Sequence, residues 1–487
     1  MLHIKDTIKN EQIKSISLKD NISLKNLFDL FTISSLCRKN GMIKHKGYPV
    51  PEILEMLFLF PFMSIASVHS FYQSRFKEFI TAQKDTLFRL KNDENLNWRN
   101  LNYLFAKRFK TLTKRIADKP SENPKCLIFD DTVVHKVGMR IEFIGKVFDH
   151  VIKRSVLGFK LLVLTFWDGT NLIPLDFSYH CERGKNKKYP FGLLKRQLNK
   201  RFSKHRANNS AGSKRSKELY VDKITNAIAL LKRAVKNGFI PDYVLTDSWF
   251  SSEKVIKTVR LFKKGIIHFL GMVKMDKRLY GYRGQKLNAK ELKKLLKPTM
   301  KRARNLRIYY IEVIVSYGDI GQVKLFFTRY SKRSKWRLLL TTDLDLTFQQ
   351  AIKIYNTRWT IEVLFKECKQ LLNLGKCQSN DFDAQIADTT ISFILYMMLG
   401  FHKKIYCYTT LGSLFAQYKD QFVEATVFDK LWQLFLTIQM KVAEFLEIDY
   451  AQLMRVVFQT PKLKETLNSL SKIFFENDFF LQFNSAT

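Results

Sequence analysis

The chain has 487 residues and a formal net charge of +39, with 83 Lys and Arg against 44 Asp and Glu. This length exceeds that of one small domain and predicts roughly two to four units. The excess of basic residues points to nucleic acid first, and to an anionic membrane surface second, as the partner.

Several classes of protein are excluded by what the sequence lacks. The most apolar run, Ile53–Val68, spans 16 residues and contains Glu55 and Pro61, so it is too short and too interrupted to cross a bilayer. The first residues lack an apolar signal core, which favours a cytoplasmic protein. No phosphate-binding loop of the type G-x-x-x-x-G-K-[ST] occurs, so ATP is not implied. The six cysteines form no C-x-x-C pair, and we expect reduced thiols rather than a zinc ribbon.

The N-terminal 120 residues are predicted to be mainly helical. Apolar spacings of three and four indicate helices at Leu27–Leu36, Glu52–Phe60 and Trp98–Ile116. The last of these carries basic residues on its other faces. Such a helix fits equally well a docking surface for DNA and an ordinary surface helix.

After residue 120 the pattern changes to strands. Lys125–Asp130 is predicted as a strand, and Leu157–Trp167 and Leu172–His180 are predicted as an antiparallel hairpin, because Asp168-Gly169-Thr170 between them is a turn signal. A strand at Tyr243–Asp247 completes this region. Asp130 and Asp247 therefore both close short apolar runs.

The segment from Arg183 to Lys217 holds thirteen Lys or Arg and no Asp or Glu. Such a run is a candidate for phosphate contacts, with a solvated loop as the alternative. Asn208, Asn209, Ser210, Gly212 and Ser213 predict a flexible loop within it.

Helices and strands alternate beyond the basic run and are then interrupted. Helices are predicted at Glu218–Asn237, which stops at Gly238, and at Ser252–Lys264, followed by a strand at Ile266–Val273. Residues 274–345 are basic and strand-rich, with strands predicted at Leu306–Tyr317, Gln322–Tyr330 and Trp336–Thr341. Long helices follow at Thr347–Leu372 and Ala384–Lys403, and residues 408–487 are again mostly helical. This order predicts an α/β protein with a mixed sheet, helices packed on it, and a β-rich insertion.

The helix at Thr347–Leu372 carries four polar residues in a row. Tyr355, Arg358, Glu362 and Lys369 fall within a sector of roughly 60° at about 100° per residue. The spacing alone also fits an ordinary amphipathic helix with an Arg358–Glu362 ion pair worth about 0.2–0.5 kcal/mol.

The pattern Y-x2-R-x3-E-x6-K formed by these four residues resembles the signature of DDE transposases of the IS-four type, which occur in bacterial insertion sequences. Lys335-Trp336-Arg337-Leu338 and the residues up to Thr341 resemble the strand before the signature helix in that family, and the β-rich insertion is also a family feature. The resemblance covers about residues 121–402. It implies a ribonuclease H-like fold and a metal-dependent polynucleotidyl transferase that cleaves transposon ends and transfers them to target DNA by a cut-and-paste route.

Carried over residue by residue, the resemblance implies that Asp130, Asp247 and Glu362 are catalytic and bind Mg²⁺ or Mn²⁺, as two ions. Asp131 is the alternative for the first position, since alternation along a strand allows only one of the two to face the site. The predicted DNA-binding residues are Tyr355, Arg358, Lys369, Trp336, Arg183, Lys185, Lys187 and Lys188.

The resemblance and the composition together predict four regions. Residues 1–120 form a helical DNA-binding domain, 121–273 and 346–402 the ribonuclease H-like domain, 274–345 the β-rich insertion, and 403–487 a helical region with a contact for a dimer. The expected partner is double-stranded DNA, namely the terminal inverted repeats and target DNA, bound by a homodimer without a membrane. Expected alternatives are a metal-dependent DNA nuclease and a domesticated, non-transposing DNA-binding relative.

Overall fold

The computed structural model describes residues 24–420 apart from 45, 75, 78–79, 117–120, 332 and 406–409, together with residues 438, 441, 442 and 445. The chain divides into two compact units. One lies within residues 1–38, 43–87 and 398–487, and the other within 39–42 and 88–397. Most of the predicted C-terminal helical region lies outside the described residues, although residues 411–420 are helical.

The described residues before 120 are mainly helical, as predicted. Their helices are α1 (Leu24–Phe31), α2 (Ile33–Lys39), α3 (Val50–Leu59), α4 (Val68–Gln73), α5 (Lys84–Asn92) and α6 (Trp98–Arg115). The single helix predicted at Leu27–Leu36 is wrong, because Thr32 between α1 and α2 has φ 52° and breaks the hydrogen-bonding pattern.

The strands of the described residues form one 12-stranded mixed sheet. They are β1 (Cys126–His135), β2 (Gly145–Asp149), β3 (Arg154–Trp167), β4 (Leu172–His180), β5 (Tyr243–Thr246), β6 (His268–Val273), β7 (Leu279–Tyr282), β8 (Gln285–Asn288), β9 (Lys301–Ala303), β10 (Ile308–Tyr317), β11 (Gly321–Arg329) and β12 (Arg337–Thr341). The main path runs β2-β3-β1-β5-β6-β12-β11-β10-β7-β8, with β4 paired to β3 and β9 to β10. The predicted mixed α/β architecture is therefore confirmed.

Strand β1 is longer than predicted. It pairs antiparallel with β3 over its whole length, from Cys126 opposite Trp167 to His135 opposite Gly158. Its parallel pairing with β5 stops earlier, at Ile128 opposite Leu245. Asp130 therefore lies in the middle of β1 rather than at its end, because β3 continues the ladder beyond the point where β5 stops.

The β-rich insertion continues the same sheet. Strand β12 pairs antiparallel with β6, with Leu338 opposite Val273, and β11 and β10 add to its outer edge. Strands β6 and β12 are thus adjacent, although 63 residues lie between the end of β6 and the start of β12. The insertion therefore widens the sheet that contains β1, which carries Asp130, and β5, which ends just before Asp247.

The basic segment is more ordered than predicted. It contains two short helices, α7 (Lys195–Asn199) and α8 (Ala211–Glu218), and Gly212 and Ser213 are buried within α8. The predicted loop is correct for Asn208, Asn209 and Ser210, which lie in a turn, but wrong for Gly212 and Ser213. Ser210 caps the helix by accepting a hydrogen bond from the Ser213 amide. Helix α9 (Lys223–Lys236) then starts five residues later than predicted.

The remaining described helices pack against the sheet, and one of them carries Glu362. They are α10 (Glu253–Leu261), α11 (Ala289–Leu295), α12 (Phe348–Asn356), α13 (Thr360–Leu371) and α14 (Phe382–Ile405). The long helix predicted at Thr347–Leu372 contains a 3₁₀ turn at Thr357–Trp359, between α12 and α13. Helix α14 is long and apolar enough to cross a membrane, but 83% of its most apolar stretch is buried, as in a core helix. The described cysteines are free thiols, as predicted, and Cys407 lies outside the described residues.

Candidate active site

Asp130 on β1 and Asp247, the first residue after β5, lie at corresponding positions in the register of these two adjacent parallel strands. Cys126 is opposite Tyr243 and Ile128 is opposite Leu245, and each aspartate follows the last paired residue by two positions. Neighbouring strands of a sheet are about 4.8 Å apart. The register therefore brings the two carboxylates to the same edge of the β1–β5 pair.

The turn after β5 holds Asp247 in place. Its Oδ1 accepts hydrogen bonds from the amides of Trp249 (2.9 Å) and Phe250 (3.0 Å), while its Oδ2 has no partner among the described residues. Ser251 Oγ donates to the Asp247 carbonyl at 2.8 Å. Phe250 packs edge-on against Phe129 of β1, with ring centroids 4.9 Å apart. The turn is thus anchored to the strand that carries Asp130.

Gly271 of β6 allows this turn to pack closely. A Cβ at this position would lie 2.6 Å from Thr246 Oγ1 and 2.8 Å from Ser251 Oγ, distances that real Cβ atoms do not show. Those two hydroxyls are themselves 2.8 Å apart and hydrogen-bonded. Any larger residue at position 271 would push the end of β5, and with it Asp247, out of place.

Arg358 joins Asp130 to Glu362. Its Nη1 lies 3.0 Å from Asp130 Oδ2, and its Nη2 lies 2.7 Å from Glu362 Oε1. Arg358 belongs to the 3₁₀ turn before α13, and Glu362 lies in the first turn of that helix. Glu362 therefore lies at the N-terminal end of α13, where the helix dipole favours negative charge.

Burial raises the pKa of Asp130 to about 7, and the Asp247 carboxylate is the second cause. The Asp131 amide and the Arg358 guanidinium act in the opposite direction. Burial also raises the pKa of Tyr355 to about 12, with Arg358 opposing and Asp247 contributing. Tyr355, Arg358 and both aspartates thus share one electrostatic environment.

Asp131 belongs to a different environment. It follows Asp130 on β1, where alternate side chains point to opposite faces. Its Oδ2 pairs with Lys223 Nζ of α9 at 2.7 Å. Lys223 also lies over the exposed Trp249 ring, 4.7 Å from its centroid. Sequence reasoning missed Lys223, and no local pattern marks it, since 92 residues separate it from Asp131.

Lys369, predicted to contact phosphate, ties α13 to β1. Its Nζ donates to Thr132 Oγ1 at 2.7 Å and to the Val133 carbonyl at 2.9 Å. Burial lowers the pKa of Lys369. Two of the three ammonium protons therefore already have partners within the protein, and one is left for a ligand.

The other predicted DNA contacts lie apart from this cluster in the chain. Trp336 immediately precedes β12 and is half-buried, and the guanidinium of Arg329 lies over its ring, 4.5 Å from the centroid. Trp249 and Trp359 are 46% and 62% exposed. The four basic residues predicted at the start of the basic segment are all exposed: Arg183, Lys185, Lys187 and Lys188.

Not all of the basic segment is available to a ligand. Arg206 is buried and binds both oxygens of Glu142 as well as Asp383, and Arg215 is buried against Phe177. These two arginines hold the protein together and do not face solvent. The positive charge open to solvent in this segment therefore comes mostly from its lysines and from arginines such as Arg183.

The residues of the cluster suit a divalent cation by donor chemistry. Carboxylate oxygens are the ligands that Mg²⁺ and Mn²⁺ prefer. A cation would also relieve the repulsion from Asp247, which is the second cause, after burial, of the raised pKa of Asp130. Within the described residues, however, no three His, Cys, Asp or Glu side chains are close enough to hold one ion. Arg358 is bound to one oxygen of Asp130 and one of Glu362.

Residues 220–398 match the family described as "Transposase DDE domain". The matched range includes Asp247 and Glu362 and starts after Asp130. No curated protein matches the chain. Among solved structures, the NurA nuclease from Sulfolobus solfataricus is 13% identical over 50% of this chain and 79% of that chain, with a TM-score of 0.21, too low to argue for a common fold. The family match supports a DDE transposase, and with it an enzyme that acts on DNA.

Proposed function

We propose that this protein is a metal-dependent DNA transposase whose active site contains Asp130, Asp247 and Glu362. The observation that carries the proposal is the bridge made by Arg358, which binds Asp130 and Glu362 across 228 residues of sequence. The parallel register of β1 and β5 adds Asp247 to the same edge. The match of residues 220–398 to a transposase domain supports the proposed class of reaction.

Asp130 is the better candidate than Asp131 for the first carboxylate. Asp130 contacts Arg358 and feels the charge of Asp247, whereas Asp131 is paired with Lys223 of α9. The IS-four signature, with Tyr355 beside Arg358, belongs to this proposal.

The proposal also includes a ribonuclease H-like domain, a homodimer on paired DNA ends, and the domain boundaries predicted above. A mixed sheet that is antiparallel at β3 and β1 and parallel at β1, β5 and β6 supports the fold. Exposed lysines of the basic segment are proposed to contact the DNA backbone.

Asp130, Asp247 and Glu362 would hold Mg²⁺ or Mn²⁺. A bound divalent cation neutralises charge on the reacting phosphodiester and activates its nucleophile. The proposed reaction has two parts. Water first attacks the phosphodiester at the transposon end and leaves a 3′-OH, and this 3′-OH then attacks a phosphodiester of the opposite strand or of target DNA.

The chain's own residues prepare the site for an anionic backbone. Arg358 offers a guanidinium that can pass from the carboxylates to a phosphate, because its planar fork suits both. Lys369 keeps α13 against β1 and so keeps Glu362 facing Asp130. Tyr355, whose high pKa keeps it protonated, can donate a hydrogen bond to a phosphate oxygen.

Glu362→Gln tests the catalytic assignment. The variant keeps the size of the side chain and a carbonyl acceptor for Arg358, but it loses the negative charge. We expect cleavage of a duplex carrying the transposon end to be lost in Mg²⁺ while binding to the same duplex, measured by fluorescence anisotropy, is retained. Glu367→Gln, the same substitution elsewhere on α13, is the matched control. Undiminished cleavage by Glu362→Gln would refute the assignment.

A pre-cleaved end separates a transposase from a nuclease with the same carboxylates. If the protein joins the 3′-OH of such an end to a supercoiled plasmid, it catalyses strand transfer. If it cleaves ends but never joins them, the nuclease alternative is correct. The duplex for both assays is taken from the DNA that flanks the gene, where we expect inverted repeats if the protein is a transposase.

A further inference from the structure

The hairpin formed by β2 and β3 projects beyond its neighbour β1. Asp130 lies opposite Val163 of β3, whereas the last pair of the hairpin is Asp149 opposite Arg154, nine residues further along β3. At about 3.3 Å per residue, the tip therefore lies roughly 30 Å beyond Asp130. Strand β1 ends opposite Gly158, so past this point β3 continues as a two-stranded ribbon with β2.

The tip projects from the edge of the sheet that carries the carboxylates. Strands β1 and β5 run parallel, and Asp247 follows the end of β5. Strand β1 runs past Asp130 in the same direction and ends beside the hairpin, where His135 Nε2 lies 2.7 Å from Asp149 Oδ2. Lys369 of α13 contacts β1 between these two points. DNA at the carboxylates can thus continue past Lys369 to the tip, and in this respect the inference rests on the proposed function.

Apolar side chains are exposed at the tip. Val151 is 89% exposed, Ile152 is 43% exposed, and Phe148 at the end of β2 is 38% exposed. Single exposed apolar residues are common on protein surfaces, but three within five residues of a projecting turn favour a contact with a partner.

The turn that presents these residues has a defined conformation. Asp149 Oδ1 accepts a hydrogen bond from the Val151 amide at 2.8 Å, and Lys153 has φ 54°. Short loops that contain a residue in the left-handed region recur in β-hairpins. The apolar side chains are therefore carried by an ordered turn.

The charge around the tip is positive. Lys153 and Arg154 are exposed and form no ion pair within the described residues. Two acids beside the hairpin already have partners, because Asp149 is paired with a histidine and Glu182, which accepts from the Phe148 amide, is paired with a lysine. The tip thus suits an anionic partner with apolar groups in reach, as duplex DNA is. A second copy of this chain, with its net charge of +39, matches it less well.

We propose that the β2–β3 hairpin is a DNA-binding arm whose tip enters the major groove about one helical turn from the carboxylates. A two-stranded ribbon fits the major groove, about 12 Å wide, but not the minor groove, about 6 Å wide. Val151 and Ile152 contact thymine methyl groups there, while Lys153 and Arg154 contact the flanking phosphates. One turn of B-DNA is about 34–36 Å long, close to the reach of the arm.

The first test combines a tip variant with a change in the DNA. The full-length protein is titrated by fluorescence anisotropy against the duplex used for cleavage, and against the same duplex with uracil in place of every thymine, which removes only the 5-methyl groups. We expect the wild type to bind the uracil duplex about threefold to tenfold more weakly. The double variant Val151→Ser, Ile152→Ser should bind both duplexes equally, at the weaker affinity.

Ile266→Ser is the matched control. Ile266 is β-branched, 73% exposed and precedes β6, which runs parallel to β5, so it lies at the opposite edge of the sheet from Asp247. This variant should bind each duplex as the wild type does, and thermal unfolding checks that both variants are folded. The proposal is overturned if the tip variant behaves like Ile266→Ser, or if it loses as much affinity for the uracil duplex as for the thymine duplex.

The basic residues of the arm are tested by the salt dependence of binding. Lys153→Asn, which tolerates the positive φ, and Arg154→Gln should each reduce the slope of log affinity against log salt by about 0.9, as for one lost phosphate contact. Lys236→Gln, an exposed lysine before β5, is the control and should leave the slope unchanged. Slopes that do not differ from that of Lys236→Gln would remove the phosphate contacts from the proposal and overturn it.

These measurements separate the arm from catalysis. If Glu362→Gln still cleaves while the tip variant loses the preference for thymine, the carboxylate assignment fails and the contact of the arm with DNA stands. If Glu362→Gln abolishes cleavage while the tip variant binds like Ile266→Ser, the arm alone fails. Sedimentation without DNA tests the other occupant: a wild-type dimer that the tip variant dissociates would overturn the proposal in favour of a second copy of the chain.

Discussion

Replacing Arg358 by Gln should make the protein more responsive to divalent cations. The guanidinium of Arg358 binds one oxygen each of Asp130 and Glu362, at 3.0 and 2.7 Å. A cation that uses both carboxylates has to displace it. Arg358→Gln removes this competitor and leaves the carboxylates in place.

The magnitude follows from how buried each contact is. The Glu362 side chain is 34% exposed and lies four residues from Arg358, so that pair contributes about 0.5 kcal/mol or less. The Asp130 side chain is 18% exposed, and its charged hydrogen bond contributes roughly 1–2 kcal/mol. Without divalent cation, the variant should therefore lose about 2 kcal/mol of unfolding free energy. Protonation of Asp130, whose pKa is already about 7, limits the loss.

With divalent cation, Arg358→Gln should regain part of the unfolding free energy that it loses without the cation. Removing a competing contact worth about 1.4 kcal/mol raises the cation affinity about tenfold. At concentrations well above the dissociation constant, this gives about 1.4 kcal/mol more stabilisation than in the wild type. The assay is thermal unfolding in a titration of MgCl₂ or MnCl₂, with NaCl at matched ionic strength.

Lys366→Gln is the control for charge alone. Lys366 is exposed on α13, which follows the 3₁₀ turn that carries Arg358, and the substitution removes the same positive charge. If Mg²⁺ and Mn²⁺ stabilise Arg358→Gln no more than they stabilise Lys366→Gln, then Asp130 and Glu362 do not share a cation. The assignment of these carboxylates as metal ligands would then fail.

Three further predictions concern stability. Asp176→Asn leaves three arginines without their shared buried carboxylate and should lower the unfolding free energy by about 3–5 kcal/mol in a urea titration; a loss below 1 kcal/mol would contradict this ion-pair network. Burial, with the positive charge of a neighbouring lysine second, lowers the pKa of His180 from 6.5 to about 4, so its contribution is complete above pH 6.5 and is lost as the pH falls towards 4. His180→Asn should flatten the unfolding free energy against pH in this window, by up to about 3 kcal/mol, and an unchanged curve would contradict the assignment. Lys369→Met should cost roughly 1–2 kcal/mol because it removes the hydrogen bonds to Thr132 and Val133, and unchanged unfolding would show that this tie is dispensable.

The strands could be predicted because their signals are local. Apolar runs bounded by turn residues located β3, β4 and β5 to within a few residues. The length of β1 could not be predicted, since it is set by the pairing with β3 rather than by its own composition. Asp130 consequently lies within β1. The side of β1 that faces β5 is unpaired at Asp130, because the pairing with β5 ends at Ile128 opposite Leu245.

The basic segment shows where composition misleads. Charge alone cannot tell a solvated lysine from a buried arginine, and Arg206 and Arg215 are buried by acids and aromatic rings that lie far away in sequence. Gly212 and Ser213 look like loop residues, yet the cap at Ser210 starts a helix there. Only tertiary contacts distinguish these residues from exposed ones such as Lys187.

The contacts of Arg358 separate the two interpretations left open by the helix pattern. The pair with Glu362 spans four residues and would form on any amphipathic helix. The pair with Asp130 spans 228 residues and exists only because the 3₁₀ turn brings Arg358 to face β1. On an ordinary surface helix, we would not expect an arginine such as Arg358 to contact a half-buried aspartate, Asp130, that lies beside a second aspartate, Asp247. The long-range contact, and not the sequence spacing, is therefore what favours a site built from carboxylates.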